Sequence, residues 1–287
     1  MISLAKAVRG WLTIVLVCLA LIPVNICQLM TLFVLPFSRR RFMQLNMAIK
    51  QFYCGFVAQG AGWCGNSLIV TGDLPRQENA IVFANHQSMI DIILLWRWSY
   101  DAQTVGWIKW FAKDVLKYVP GLGWGMMFVN TLFVKRDWAK DAGSIRATFA
   151  KLREQKLPTW LVIFPEGTRM KPSKFASSRA YAQRKGLPVF DHVLIPRGKG
   201  IHACLQGMSG HLAAVYDVTI QYDGGVPSAL HFFTVGGYKA RLHAIRHEIS
   251  SIPDRERDLN QWLLGVFVKK DQMMAEGLHK FMPGSEL

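Results

Sequence analysis

Apolar positions crowd the start of the chain. From Trp11 to Ser38 there is no charged residue. Drawn as a straight helix, that run is about 40 Å long, more than the roughly 30 Å hydrocarbon core of a bilayer. Pro23 and Asn25 fall near its middle and Pro36 near its end. Proline inside a helix removes a hydrogen bond and bends the axis. Two arrangements stay open: one tilted spanning helix, or a bent helix that dips into one leaflet. Lys6 and Arg9 precede the run, and Arg39, Arg40 and Arg41 follow it. A single span would therefore leave the C-terminal bulk on the cytoplasmic side. No small-x-small cleavage site follows the first apolar stretch, which argues against a secretory signal peptide. Residues 46–63 carry apolar positions at helical spacing (Met47, Ile49, Phe52, Tyr53, Phe56, Val57) and read as a second, interfacial helix. The glycine-rich run 60–65 ends it.

Beyond Gly65 the period changes. Short apolar runs at 68–71, 80–84, 127–134, 161–164, 193–195, 213–222 and 230–235 predict strands. Residues 90–98 and 259–281 predict helices, and 171–188, rich in Lys, Arg and Ser, predicts a loop. Strand and helix in alternation indicate an α/β layered body. The expected division is 1–65, membrane-associated helices, and 66–287, an α/β domain.

Composition narrows the partner. The 287 residues hold 34 Lys+Arg against 19 Asp+Glu, a formal charge of +15, with 51% hydrophobic residues. Such a basic excess suits an anionic partner. Ten Trp and seventeen Phe favour a membrane interface over nucleic acid. The arginines scatter over loops with no nucleic-acid-binding module. Five cysteines without a C-x-x-C pair read as free thiols, and neither a metal site nor a disulfide framework is expected.

Four clusters carry candidate chemistry. His86 follows a strand, and Asp91 lies where the next helix opens, with Ser88 as its cap. That spacing serves a capping box as well as it serves a histidine base oriented by a carboxylate. Phe164-Pro165-Glu166-Gly167-Thr168-Arg169 ends an apolar strand with an acid, a flexible glycine, a hydroxyl and an arginine able to grip phosphate. A turn with a surface ion pair has the same composition. Lys135 and Arg136 end another apolar run, and Pro196-Arg197 opens a basic, glycine-rich turn.

In this order and spacing the four clusters resemble the glycerolipid acyltransferase family, whose best-known members are the 1-acyl-sn-glycerol-3-phosphate acyltransferases. Lys113-Asp114-Val115-Leu116 ahead of Pro120-Gly121-Leu122-Gly123-Trp124, and Tyr216-Asp217-Val218-Thr219, add to the match. The Pro196-Arg197 variant and the ending Trp262-Leu263…Lys270-Asp271 look most like the branch that includes lysocardiolipin acyltransferase and its bacterial relatives. One departure is Asn130-Thr131-Leu132, where many members place glycine and a hydrophobe.

The resemblance implies an α/β fold, a mixed sheet flanked by helices, with an N-terminal membrane-embedded segment. It implies transfer of a fatty acyl group from acyl-CoA or acyl-ACP, as co-substrate, to a free hydroxyl of a lysophospholipid. His86 would be the general base and Asp91 its orienter. Arg136 and Arg169 would hold the phosphate, with Lys135 and Arg197 beside them. Glu166, Gly167 and Thr168 would shape the glycerol site, and Pro196 would line the acyl channel. No cofactor or metal is called for, and an anionic membrane is the expected partner. No G-x-S-x-G elbow is present, so attack would be direct rather than through an acyl-serine. A hydrolase on the same residues and a non-catalytic lipid-binding protein remain the rival readings.

Overall fold

The structure is a computed structural model of the chain, and residues 4–135 and 138–278 are described. The apolar N-terminus forms α1 (Leu4–Leu19) and α2 (Leu21–Met30). The break between them has a plain cause: Pro23 has no N–H to give to Leu19, four residues back. Their outward face is a stripe of exposed apolar residues, among them Val8, Trp11, Val15, Leu19, Ile22, Ile26 and Leu29. After a turn, Ser38 caps α3 (Arg39–Trp63), accepting from the Arg41 N–H. α3 runs back antiparallel to α1 and α2. Asn46 donates to Thr31 at 2.8 Å and the Tyr53 hydroxyl to the Val17 carbonyl at 3.4 Å.

The remainder follows as β1 (Ser67–Gly72), β2 (Ala80–Ala84), α4 (Ile90–Tyr100), β3 (Ile108–Lys113), α5 (Leu122–Phe128) and β4 (Leu132–Val134). Next come α6 (Trp138–Glu154), β5 (Trp160–Ile163), α7 (Pro172–Lys185), α8 (Gly198–Gly207), β6 (Ala214–Asp223), α9 (Ala229–Thr234), β7 (Lys239–Glu248) and α10 (Glu256–Glu276). The strands form one sheet in the order β1-β7-β6-β2-β5-β3-β4. β6 and β7 are antiparallel, and every other neighbouring pair is parallel. The expected mixed α/β architecture is thus present. β2 is buried along its whole length, as an apolar run covered on both faces must be. One face packs Phe149, Ile201, Leu259 and Phe267 of α6, α8 and α10. The other packs Leu94, Trp98 and Phe232 of α4 and α9.

Several elements differ from the sequence expectation. Residues 127–134 are not one strand: Met127 and Phe128 end α5, Asn130 turns the chain at φ +53°, and only Leu132–Val134 pairs. Val193 and Leu194 are buried and Ile195 half-buried, but none of the three pairs with a strand. Residues 230–235 form the short helix α9, capped by Ser228, whose hydroxyl accepts from the His231 N–H. The stretch 171–188 is mostly helix, α7, opened by Pro172 and closed at Gly186 in the left-handed conformation. β3, α5, α6, α8 and β7 lie where the sequence reading expects no such element. α10 stops at Glu276, short of the expected 281, and 279–281 lie outside the described residues.

The body holds the N-terminal hairpin along its length. α3 packs on α4, where Gly55 faces the Tyr100 ring. Gly10 of α1 sits so close to the Phe233 carbonyl of α9 that a Cβ there would overlap it. At the other end the Gln28 amide of α2 donates to the Gly125 carbonyl of α5 at 3.3 Å.

Candidate active site

The connections leaving β2 and β6, adjacent parallel strands, depart toward opposite edges of the sheet. Such divergence opens a crevice at the carboxyl ends of the strands, the usual ligand position in open α/β sheets. A cleft of about 390 Å³ lies there. Gln87, Ser88 and Met89 after β2, Arg169 and Met170 after β5, and Val226–Ala229 after β6 line it.

Asn85 ends β2 by standing in for a strand residue. Its side-chain amide donates to the Ile220 carbonyl at 2.9 Å and accepts from the Ile220 N–H at 2.8 Å. This lets β6 run on past the end of its neighbour. His86 Nδ1 lies 2.9 Å from Asp91 Oδ2. The same oxygen accepts from the N–H groups of Gln87 at 2.7 Å and Ser88 at 2.9 Å. The Ser88 hydroxyl accepts from the Ile90 N–H at 3.3 Å. Cap and dyad are therefore one construction: the capping carboxylate also holds the ring. Asp91 is fully buried, and the Tyr222 hydroxyl donates to its Oδ1 at 2.5 Å. Burial, with Asp91 beside it, raises the Tyr222 phenol far above its ordinary range, so it stays a donor. The imidazole stacks on Phe164 with centroids 3.9 Å apart, and Phe164 stacks in turn on Trp110 at 6.1 Å. The ring is fixed by one edge and one face. Nε2 has no hydrogen-bond partner among the described residues.

β2 and β5 pair with Phe83 opposite Ile163, which sets Glu166 beside His86. Backbone bonds stitch the motifs together, from Met170 N–H to the His86 carbonyl at 2.8 Å and from Arg197 N–H to the Pro165 carbonyl at 2.9 Å. Gly167 turns the chain at φ +70°, where a side chain is strained, and the Arg197 side chain lies over it. Glu166 is 2% exposed, and neither carboxylate oxygen receives a full hydrogen bond. Burial pushes its carboxyl up to about 8; the nearby amides of Leu194 and His86 only partly offset this. At neutral pH it holds its proton and can donate.

The expected phosphate residues separate into placed and unplaced. Arg169 and Arg197 are exposed at the cleft end of the sheet, Thr168 and Pro196 are half-buried beside them, and Lys135 follows β4 on the same edge. Arg136 lies outside the described residues. Lys113 was not among the expected site residues, yet it pairs in register with Val134 and so ends β3 at this edge. Tyr222 was missed as well. It lies 131 residues from Asp91, and no local spacing marks it.

Residues 67–219 match the family described as Acyltransferase, and 232–279 the one described as Acyltransferase C-terminus. The chain belongs to the acyltransferase family. A probable 1-acyl-sn-glycerol-3-phosphate acyltransferase 5 of Arabidopsis thaliana is 34% identical over 211 residues, covering 73% of this chain and 56% of that protein. The 1-acyl-sn-glycerol-3-phosphate acyltransferase gamma of Homo sapiens is 30% identical over 271 residues, covering 92% of this chain and 72% of that one. The chain thus spans little more than half of the Arabidopsis relative. Its fold is that of the 1-acyl-sn-glycerophosphate (LPA) acyltransferase PlsC from Thermotoga maritima, with TM-score 0.54, 18% identity and 95% of both chains covered.

Proposed function

We propose that this acyltransferase moves a fatty acyl group from an acyl thioester, acyl-CoA or acyl-ACP, to the free hydroxyl of a lysophospholipid of the 1-acyl-glycerol-3-phosphate type. The observation that carries the mechanism is the Asp91 grip on His86. With Nδ1–H donated to Asp91, the neutral ring keeps its lone pair on Nε2. Nε2 takes the proton of the acceptor hydroxyl as that oxygen attacks the thioester carbonyl. The tetrahedral adduct collapses by breaking its C–S bond, and the imidazolium returns the proton to the leaving sulfur. Asp91 stabilises the imidazolium between these steps, and Tyr222 keeps Asp91 in position. Arg169 and Arg197, with Lys113 and Lys135 on the same edge, supply cations for the acceptor phosphate. Protonated Glu166 offers a hydrogen bond to a glycerol oxygen from below the cleft.

Two contacts support a membrane arrangement. α1 meets the body at Gly10 and α2 meets it at Gln28, eighteen residues further along. A helix pair held by one body near both ends lies along that body. This favours the dipping arrangement over a span, with the outward apolar stripe in one leaflet. The charge rule for a single span therefore assigns no side to the catalytic body.

The test is thioester consumption by the reconstituted enzyme, with and without lysophospholipid. Thiol release should require the acceptor, and His86→Ala should lower it by about 10²–10⁴-fold. Full transfer by that variant would sink the mechanism. Release that ignores the acceptor would reassign the site to hydrolysis.

A further inference from the structure

The connection from β3 to β4 is the other apolar surface of this chain. From Tyr118 to Val134 no residue is charged, while Lys113 and Lys117 precede the stretch and Lys135 follows it. Those 17 residues are not one spanning helix: they divide into the end of a turn, the short α5 and β4. Their C-terminal part, with Val129 and Leu132, enters the core, but the rest does not. Val115, Tyr118, Val119, Leu122, Trp124 and Met127 are 40–70% exposed on the turn Asp114–Tyr118 and on α5. A contiguous apolar surface of this kind marks an interaction site rather than ordinary surface scatter.

Its neighbour names the occupant. α5 packs on α2: Gly121 faces Leu21 and Asn25, and Gly125 accepts from Gln28. The exposed residues Ile22, Ile26 and Leu29 of α2 therefore continue the same apolar surface. Tyr118 and Trp124 bring the amphipathic rings that favour the headgroup level. Lys117, paired with Asp114 at 2.8 Å, and Lys113 stand at the rim with long stems and charged tips.

We propose that residues 115–127 form a second membrane contact, an interfacial wedge sunk beside α2 into the acyl region of one leaflet. The wedge hangs between β3 and β4, whose ends carry Lys113 and Lys135. Its depth therefore sets the height of the cationic edge at the lipid headgroups. A membrane-borne acceptor would then meet the cleft without leaving its leaflet. That last consequence rests on the acyl transfer proposed above; the insertion rests only on the placement of the α2 stripe in one leaflet proposed there.

The decisive measurement uses full-length enzyme in vesicles of phosphatidylethanolamine and phosphatidylglycerol, with part of the lipid brominated on its acyl chains. Subtracting the emission of Trp124→Phe from that of the wild type isolates Trp124. That difference signal should be quenched by the bromolipid and shielded from aqueous acrylamide. Quenching by acrylamide alone would overturn the proposal. So would protection from both agents, which would mean that protein, such as a second copy, covers the face. A second arm compares Leu122→Glu/Trp124→Glu with the wild type. Transfer to a vesicle-borne acceptor should fall about tenfold or more, and transfer to a water-soluble short-chain acceptor should stay within about twofold. Equal loss in both assays would count against the wedge. A wild type inactive on both acceptors but quenched by bromolipid would overturn the proposed function and leave the insertion standing.

Discussion

Glu166→Gln offers the sharpest test of the site's electrostatics. The native carboxyl keeps its proton to about pH 8, while the same group in an unfolded chain ionises near 4.5. Between those values the native state holds the extra proton, so stability falls as pH rises. The slope is about 1.4 kcal/mol per pH unit, which accumulates to on the order of 4 kcal/mol across the window. Glu166 is almost fully buried, so solvent does little to screen this cost. Glutamine has the shape of the protonated acid and does not ionise. Melting of wild type and variant in detergent should therefore coincide near pH 5 and diverge toward pH 8. The variant should be the more stable there by about 10 °C, taking 2–4 °C per kcal/mol for a chain of this size. Comparing the two proteins at each pH cancels every other titrating group. Melting curves that stay parallel from pH 5 to 8 would refute the buried, proton-holding Glu166.

Three further outcomes follow from the same geometry. Asp91→Asn should cut kcat by about 10³–10⁴-fold with little change in KM, because the ring loses its anionic anchor. Tyr222→Phe should cost about tenfold in kcat in the wild type and almost nothing on the Asp91→Asn background; additive losses would show that Tyr222 does not act through Asp91. Lys270 is buried against Asp217, with its ammonium also donating to the Val218 carbonyl at 2.6 Å. Lys270→Met should lower stability by about 3–5 kcal/mol, and adding Asp217→Leu should restore part of it, read by chemical denaturation.

The sequence showed the sheet where strands are continuously apolar. β2, β5 and β6 lie in the middle of the sheet with both faces covered, so their burial is written residue by residue. β3 was hidden because Ile108-Lys109-Trp110-Phe111-Ala112-Lys113 reads as half-polar. Lys109 is in fact fully buried, its ammonium donating to the Val129 carbonyl at 2.7 Å, and burial lowers its pKa well below the usual range. β7 was hidden by its composition: small Ala240 and Ala244 point inward with Leu242, while six of the other seven positions are Lys, Arg, His or Glu. α7 looked like a loop because its surface is basic and rich in serine; Ala182 is its buried residue. The motif residues were easier to read than their neighbours. They sit on short turns after β2 and β5, and parallel pairing carries those turns to one edge. Tyr222 comes to Asp91 through β6, a tertiary relation that no spacing along the chain records.

The contact of Gly10 with α9 reaches further than packing. Ser88, two residues from His86, donates its hydroxyl to the Pro227 carbonyl at 2.8 Å, and Pro227 leads into α9. α9 rests on α1. The apolar helix α1 and the wall of the cleft are thus successive links of one short linkage, with a glycine as its bearing. Any change in the tilt of α1 would reach the cleft-lining segment Val226–Ala229 through α9, so the pose of the N-terminal helices is mechanically coupled to the shape of the cleft.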